Sequence, residues 1–121
     1  MQQPIGFINN KHPNKVCLLL KALYRLKQSA REWYFFLARI LKLLGFKTLR
    51  ADQSIFRNKN SGIIICAHIN DLLIFGPNLS DIEALKKEVI KTVNITNLGD
   101  ISFFLGIQVI QDYEKGAIYI N

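Results

Sequence analysis

Two stretches of the chain place apolar side chains three and four residues apart, which is the pattern of an amphipathic α-helix. In the first stretch, Ser29 and Glu32 have the spacing of a capping box, and Gly45 has the place of a glycine stop after a helix. We therefore expect a helix over residues 30–44. Its apolar positions are Trp33, Phe36, Leu37, Ile40, Leu41 and Leu44.

The second helical stretch follows Ser80 and Glu83, which have the same capping-box spacing. Its apolar positions are Ile82, Leu85, Val89 and Val93. Glu83 and Lys87 are four residues apart, so we expect them to form an ion pair along the helix.

Shorter apolar runs lie between and after these helices and predict strands. Residues 53–57 form one run, and residues 63–69 and 72–75 flank the polar pair Asn70-Asp71. Since Asn and Asp tolerate positive φ, this pair predicts the two-residue turn of a β-hairpin. The turn would leave the Asp71 carboxylate poorly shielded and able to hold a cation.

The last part of the chain predicts further strands. Residues 101–110 are strand-like but are interrupted at Gly106, and a returning strand begins at residue 117 after a turn over residues 112–116. Residues 1–15 are rich in Pro, Gly and Asn, which is typical of a loop. The order of elements predicts an α+β fold, with two helices packed on one face of an antiparallel sheet and a C-terminal β-hairpin.

The net charge of +7 is concentrated in the first half of the chain. Residues 1–50 hold ten lysines and arginines against Glu32 alone, whereas residues 51–121 hold six against eight acids. A one-sided basic half suggests a polyanionic partner, most commonly nucleic acid. The alternative is a basic surface that serves only solubility.

Other sequence features bear on membrane contact, cellular compartment and the state of the cysteines. No apolar run reaches the length of a membrane span, and Gln2, Gln3 and Pro4 after Met1 do not form a signal peptide. We therefore expect an intracellular chain without membrane contact. Two cysteines are too few for a disulfide framework, so we interpret Cys17 and Cys66 as reduced, buried thiols. Their spacing with His12 and His68 fits no zinc motif.

Five segments, in order, resemble copia-type retrotransposon reverse transcriptases (RNA-directed DNA polymerases), which are parts of Pol polyproteins. These are Met1-Gln-Gln-Pro-Ile-Gly-Phe7; Lys21-Ala-Leu-Tyr-Arg-Leu-Lys-Gln-Ser-Ala-Arg-Glu-Trp-Tyr34; Asp52-Gln-Ser-Ile-Phe56; the Asn70-Asp71 hairpin, where the family has Tyr-Val-Asp-Asp; and Leu98-Gly-Asp-Ile-Ser-Phe-Phe-Leu-Gly-Ile107. The resemblance implies a single partial domain over residues 1–121, a piece of the polymerase palm without the fingers, the first catalytic strand or the thumb.

The family resemblance also implies a chemistry and site residues. Polymerisation in the family uses two metal ions, for which Mg²⁺ is expected, with RNA template and DNA primer as partners. By this resemblance, Asn70 occupies the position of the family's first hairpin Asp. Asp71 is then the remaining hairpin carboxylate and a weak metal ligand. The residues implied to contact nucleic acid or nucleotide are Arg25, Lys27, Gln28 and Arg31, and Leu105 with Gly106 is implied to form the primer grip.

The chain departs from the family pattern at four residues. Asn70 replaces an Asp, His68 replaces the preceding Tyr, Arg25 replaces a Gly that keeps space for substrate, and Ala30 replaces a Pro. Each implied role has a purely structural alternative. Asp71 would then only stabilise a turn, and Lys27, Gln28 and Arg31 would form a solvated helix end. Gly106 would mark an ordinary β-bulge.

Three functions remain open at this point. The first is a catalytically inactive reverse transcriptase fragment, because Asn70 is neutral and the family's upstream Asp is absent. The second is a retained nucleic-acid-binding module that uses the basic half. The third is an active polymerase whose gene model is truncated. Without its upstream neighbour strand, the sheet is expected to expose an apolar edge beside the hairpin, which favours association.

Overall fold

The computed structural model describes residues 1–20, 23, 26 and 28–121. Within these residues the chain forms two helices and two antiparallel sheets, so the predicted α+β class is correct. The elements in order are α1 (Ser29–Leu43), β1 (Lys47–Thr48), β2 (Ile55–Arg57), β3 (Ile64–His68), β4 (Asp71–Phe75), α2 (Leu79–Thr92), β5 (Phe103–Phe104), β6 (Ile107–Asp112) and β7 (Ala117–Ile120).

Helix α1 lies within one residue of its predicted bounds, but its first turn differs from the prediction. Gln28 is the N-cap residue and Ser29 is already helical, so the capping box is wrong; the Ser29 hydroxyl instead donates to the Leu23 carbonyl. The predicted stop at Gly45 is confirmed by its φ of 85°. Its N–H donates to the Lys42 carbonyl at 3.0 Å and that of Phe46 to the Leu41 carbonyl at 2.9 Å, which is a Schellman motif.

Strands β1 to β4 form a four-stranded sheet in sequential order, each pairing antiparallel with the next. The register places Phe56 opposite Ile65 and Ile65 opposite Ile74, so these three side chains share one face. The two-residue strand β1 has no apolar run, and the sequence did not predict it.

One face of this sheet is covered by both helices, as predicted. Leu37 and Leu41 of α1 and Val89 of α2 are buried in a single cluster with Phe56 and Ile65. At Gly76, which leads from β4 to α2, an added Cβ would lie 3.0 Å from an Ile63 side-chain atom and 3.1 Å from one of Ile82. The helix can therefore approach the sheet this closely only because a glycine stands there.

Helix α2 buries its predicted apolar face but begins earlier than the capping box indicated. Asn78 is the N-cap residue and Ser80 is the second residue of the helix. Glu83 accepts from Lys86 at 2.8 Å, one turn away, rather than from Lys87 as predicted. No helix among the described residues combines the length and apolar character needed to cross a bilayer.

The C-terminal segment forms a separate three-stranded sheet in the order β5-β6-β7. Leu105 and Gly106, the two residues between β5 and β6, have φ of 53° and 83°. Two successive positive φ values are typical of a type I′ hairpin turn, so the β-bulge considered for Gly106 is wrong. The predicted turn and returning strand are present as residues 113–116 and β7.

The first 20 residues contain no helix or strand. Gln3 holds this segment together: its side-chain amide donates to the carbonyls of His12 at 3.0 Å and Lys15 at 2.7 Å, and its side-chain oxygen accepts from the Asn9 N–H at 2.7 Å.

Candidate functional site

The hairpin of β3 and β4 presents its polar residues at an exposed tip. His68 pairs with Asp71, so the two turn residues are Ile69 and Asn70. The predicted turn at Asn70-Asp71 is therefore displaced by one residue, and Asp71 is the first residue of β4. Because the pairing is direct, the His68 and Asp71 side chains lie on the same face of the sheet.

Ile69 has a φ of 52° in this turn. A β-branched residue in the left-handed region is a backbone outlier. Its strain is of order 1–3 kcal/mol and is retained only where the surroundings fix the conformation. The tip of the hairpin is thus held in a strained turn that leaves Asn70 exposed and Asp71 exposed beside it.

Asp71 lies on the sheet face that neither helix covers. We call this the open face; it consists of alternate residues of the four strands, namely Lys47, Ile55, Arg57, Ile64, Cys66, His68, Asp71, Leu73 and Phe75. Apart from the cysteine, the central positions are apolar, and the exposed charged groups lie toward the ends of the strands.

Asp52, for which the sequence predicted no chemical role, lies close enough to the open face for its charge to act on Cys66. Its carboxylate accepts from the Ser54 hydroxyl at 2.7 Å and from the Ser54 N–H at 2.8 Å. These hydrogen bonds hold the pKa of Asp52 below its usual value. The Asp-x-Ser spacing is the signal of an Asx turn that could have revealed this.

The Cys66 thiol on the open face has a raised pKa. Partial burial is the larger cause and the negative charge of Asp52 is the smaller one. Both disfavour the thiolate. Cys17 and Cys66 are free as predicted, but each is half-buried rather than buried.

A cleft of about 770 Å³ opens beside β4. Its walls come mainly from β4, α2 and the segment between α2 and β6, with Trp33 of α1 and residues at the end of β6 completing them. The lining residues include Asn70, Asp71 and Leu105. Two residues predicted at the hairpin and one from the predicted primer grip therefore line the same cleft, while Gly106 is not among its lining residues. Lys86 and Asp100 add one charge of each sign.

The remaining predicted site residues are placed apart from this cleft. Gln28 is exposed as the N-cap residue of α1, and its carbonyl accepts from the Glu32 N–H at 3.0 Å. The Arg31 guanidinium lies over the Phe35 ring, 5.4 Å from its centre. Arg25 and Lys27 lie outside the described residues.

The residues near the hairpin do not supply a complete ligand set for the expected Mg²⁺. Across residues 1–20, 23, 26 and 28–121, no group of three His, Cys, Asp or Glu side chains is arranged to hold a metal ion. Asp71 offers a carboxylate and Asn70 an amide oxygen, and Mg²⁺ prefers carboxylate oxygens together with substrate phosphates and water. The hairpin tip therefore offers one carboxylate and one amide oxygen as potential metal ligands.

Comparisons with known proteins identify the family. The family model described as "Reverse transcriptase (RNA-dependent DNA polymerase)" matches residues 1–120. The chain is 34% identical over 110 residues to a retrovirus-related Pol polyprotein from transposon RE1 of Arabidopsis thaliana, covering 89% of this chain and 8% of the relative. It is 31% identical over 113 residues to a putative transposon Ty5-1 protein of Saccharomyces cerevisiae, covering 92% and 37%.

A third relative extends the match to the whole chain. The retrovirus-related Pol polyprotein from transposon TNT 1-94 of Nicotiana tabacum is 27% identical over 124 aligned residues, covering 100% of this chain and 9% of the relative. The chain therefore spans about 8% to 37% of the length of these relatives. No solved structure matches. On the match of residues 1–120, the chain belongs to the reverse transcriptase (RNA-dependent DNA polymerase) family.

Proposed function

We propose that this chain is a piece of a reverse transcriptase palm whose hairpin does not catalyse nucleotide transfer by itself. The observation that carries the proposal is the single carboxylate at the hairpin tip, where Asn70 stands at the position of the family's first hairpin Asp. The partial palm comprises residues 1–121, with residues 1–15 as a loop-like leading segment.

The layered arrangement supports the palm interpretation. An antiparallel sheet with both helices on one face leaves the open face available to a large ligand, and the hairpin tip stands at the end of that face. Strand β4 terminates the sheet, and it lies beside the cleft that contains Asn70, Asp71 and Leu105. Leu105 is thus suited to act with Gly106 as a primer grip next to the hairpin.

Charge supports the inactivity. A two-metal site stabilises the attacking and leaving oxygens by binding divalent cations between carboxylates. Asn70 supplies a neutral oxygen, so the hairpin carries one negative charge where the family has two. Loss of one such transition-state interaction commonly lowers the rate by about 10²–10³.

Primer extension on the purified chain tests the proposal. We expect no template-dependent extension above a protein-free blank with either Mg²⁺ or Mn²⁺. Extension that is lost in an Asp71→Ala variant would contradict inactivity, because it would show that the hairpin carboxylate is catalytic in this chain.

Metal titration separates the loss of charge from a failure to fold. We expect Asn70→Asp to strengthen Mn²⁺ binding, measured by the paramagnetic signal of the free ion, because a second carboxylate then lies beside Asp71. The matched control is Asn60→Asp, which adds the same charge at another exposed turn. Equal affinity in the two variants would argue that the hairpin tip is not a metal-binding turn.

Nucleic-acid binding is a second candidate function, favoured by the surface of the first half of the chain. All seven lysines and arginines that the structure describes between residues 1 and 50 are exposed: Lys11, Lys15, Arg31, Arg39, Lys42, Lys47 and Arg50. Exposed cations bind phosphates with release of counterions. The ligands expected from the family are an RNA template and a DNA primer, with Arg25, Lys27, Gln28 and Arg31 as contacts.

Salt titration tests this candidate. We expect the logarithm of the binding constant for an RNA–DNA hybrid duplex to fall linearly with the logarithm of salt concentration. No measurable binding at low salt would contradict it and would leave the inactive fragment alone.

A further inference from the structure

The side of α1 that faces away from the sheet carries a regular ridge of exposed cationic and apolar residues. Arg31, Phe35, Arg39 and Leu43 follow one another at intervals of four residues, so they form one row along the helix. Phe36 and Lys42 flank the row. We call these six residues the outer face of α1.

The outer face is exposed although half of it is apolar. The exposed fractions are 52% for Phe35, 39% for Phe36 and 83% for Leu43, whereas Leu37 and Leu41 on the opposite side of the helix are fully buried against the sheet. Solvated helix faces are normally polar. Because the two phenylalanines and the leucine are exposed, packing within this chain does not explain why apolar residues stand there.

The two arginines of the ridge are held by aromatic rings. The Arg31 guanidinium lies 5.4 Å from the centre of the Phe35 ring, and that of Arg39 lies 5.9 Å from the centre of the Phe36 ring. A guanidinium restrained by a ring loses less side-chain freedom when it binds a carboxylate in bidentate fashion. Within the described part of the chain, neither arginine takes part in an ion pair.

We propose that the outer face of α1 is a docking surface for an acidic amphipathic helix of a protein partner. The outer face carries three cations, whereas α1 contains one acid, Glu32 in its first turn. This excess of positive charge requires a negatively charged partner. Phe35, Phe36 and Leu43 require apolar side chains between the negative charges. A protein helix satisfies both needs. A nucleic acid satisfies the first through its phosphates and stacks bases on the two phenylalanines, but it has no apolar group of its own to cover the aliphatic Leu43, which is 83% exposed.

The spacing of the ridge also fits a helix. Arg31 and Arg39 are eight residues apart, which is about 12 Å along the axis. A partner helix reaches both with carboxylates seven or eight residues apart and places an apolar residue between them against Phe35. Aromatic residues and arginine are the side chains enriched at the centres of protein interfaces.

The test measures binding of the full 121-residue chain to a labelled helical peptide. The probe is a capped peptide of about 17 residues, long enough to be helical in water, with glutamate and leucine alternating at intervals of four residues along one face. A matched peptide has glutamine in place of each glutamate. We expect the acidic peptide to bind at least about tenfold more tightly than the matched one, a difference of about 1.4 kcal/mol.

Two variants locate the binding on this helix. We expect Arg39→Glu with Lys42→Glu to weaken binding of the acidic peptide by about tenfold or more. The control is Lys87→Glu with Lys115→Glu, which changes the net charge equally at exposed positions on α2 and in the turn between β6 and β7, and is expected to leave binding within about twofold. Circular dichroism confirms that each variant is folded.

A third variant tests the apolar half of the ridge and separates protein from nucleic acid. We expect Phe35→Ser with Leu43→Ser to weaken peptide binding. An oligothymidine of about 16 nucleotides bound at this face would stack its bases on the Phe35 ring and would lose affinity in the same variant. Because the proposal assigns this face to a protein helix, we expect any binding of that probe to be unchanged. The proposal is overturned if no peptide binds at low salt, if the control variant weakens binding as much as the outer-face variant, or if the oligothymidine binds more tightly than the peptide and depends on Arg39 and Lys42.

Discussion

Asp52 acts at once on the backbone of its own turn and on a thiol in the sheet. Its carboxylate accepts two hydrogen bonds from Ser54, which stabilise the charged form and lower its pKa. A lowered carboxyl pKa stabilises the fold above the unfolded-state pKa, and this contribution is lost as the pH falls through the folded-state pKa. Because Asp52 is fully exposed, its more telling effect is the negative charge it places near Cys66.

We expect the alkylation profile of Cys66 to report that charge. In a Cys17→Ser background, Asp52→Asn should shift the pH dependence of iodoacetamide reaction to lower pH, because removal of a negative charge favours the thiolate. The thiol pKa should stay above its ordinary value, since burial is the larger cause of the raised pKa. Asparagine can still accept from the Ser54 N–H, so the turn is preserved.

Glu114→Gln is the control, because it removes the same charge from an exposed turn near the C-terminus. An equal shift in both variants would mean that net charge rather than the position of Asp52 sets the thiol pKa. No shift in Asp52→Asn would show that its carboxylate does not act on Cys66.

At the β3–β4 hairpin, the sequence predicts the two strands but not the exact position of the turn. The apolar runs on either side of Asn70-Asp71 predicted both strands, but the turn lies at Ile69-Asn70. Propensity could not give this offset, because a β-branched residue is normally excluded from positive φ. The same limit applies at α1, where Ser29 is the better capping residue but Gln28 occupies the N-cap position.

The sequence predicted which residues belong to the candidate site better than it predicted how they are arranged in space. Asn70, Asp71 and Leu105 were named from the family resemblance, and the fold brings them to one cleft. Their proximity depends on how the segment after α2 returns to β4, and no local pattern encodes such a long-range contact. Asp52 was missed because it acts through an Asx turn rather than through a recognised site motif.

At the scale of the hairpin, we expect Ile69→Gly to stabilise the fold. Glycine adopts a φ of 52° without the steric penalty of isoleucine, which is about 1–2 kcal/mol in the left-handed region. Glycine also gains unfolded-state entropy, so the net increase in the free energy of unfolding should be about 0.5–1 kcal/mol. Urea denaturation followed by circular dichroism measures it.

The matched control for this change is Ile118→Gly. Ile118 is 63% exposed and Ile69 is 65% exposed, but Ile118 lies in strand β7 and has no positive φ. Its replacement should lower the free energy of unfolding, because glycine weakens a strand. If both variants are destabilised alike, the turn at Ile69 is not strained.

At the scale of the whole molecule, apolar surface is covered on one side only. Both helices pack on the same face of the four-stranded sheet, and the core lies between them. The three-stranded sheet has no such cover: Ile118 and Ile120 of its terminal strand β7 are 63% and 68% exposed. They share one face with Ile107, Val109 and the uncharged Gln111 of β6, so this face is mainly apolar and carries no charge that would oppose contact with a second copy.

We expect the chain to self-associate through β7, since an exposed apolar terminal strand is a template for pairing with another chain. Sedimentation velocity should show an average sedimentation coefficient that rises with protein concentration.

Ile118→Lys should raise the dissociation constant by about tenfold, or about 1.4 kcal/mol, because a charge on that face must be desolvated in the contact. Leu18→Lys is the control: Leu18 is 85% exposed in the segment before α1, so the variant gains the same charge outside the β-sheets. A monomer with a sharp, concentration-independent thermal transition would contradict the prediction, and equal weakening by both variants would attribute association to net charge rather than to this strand.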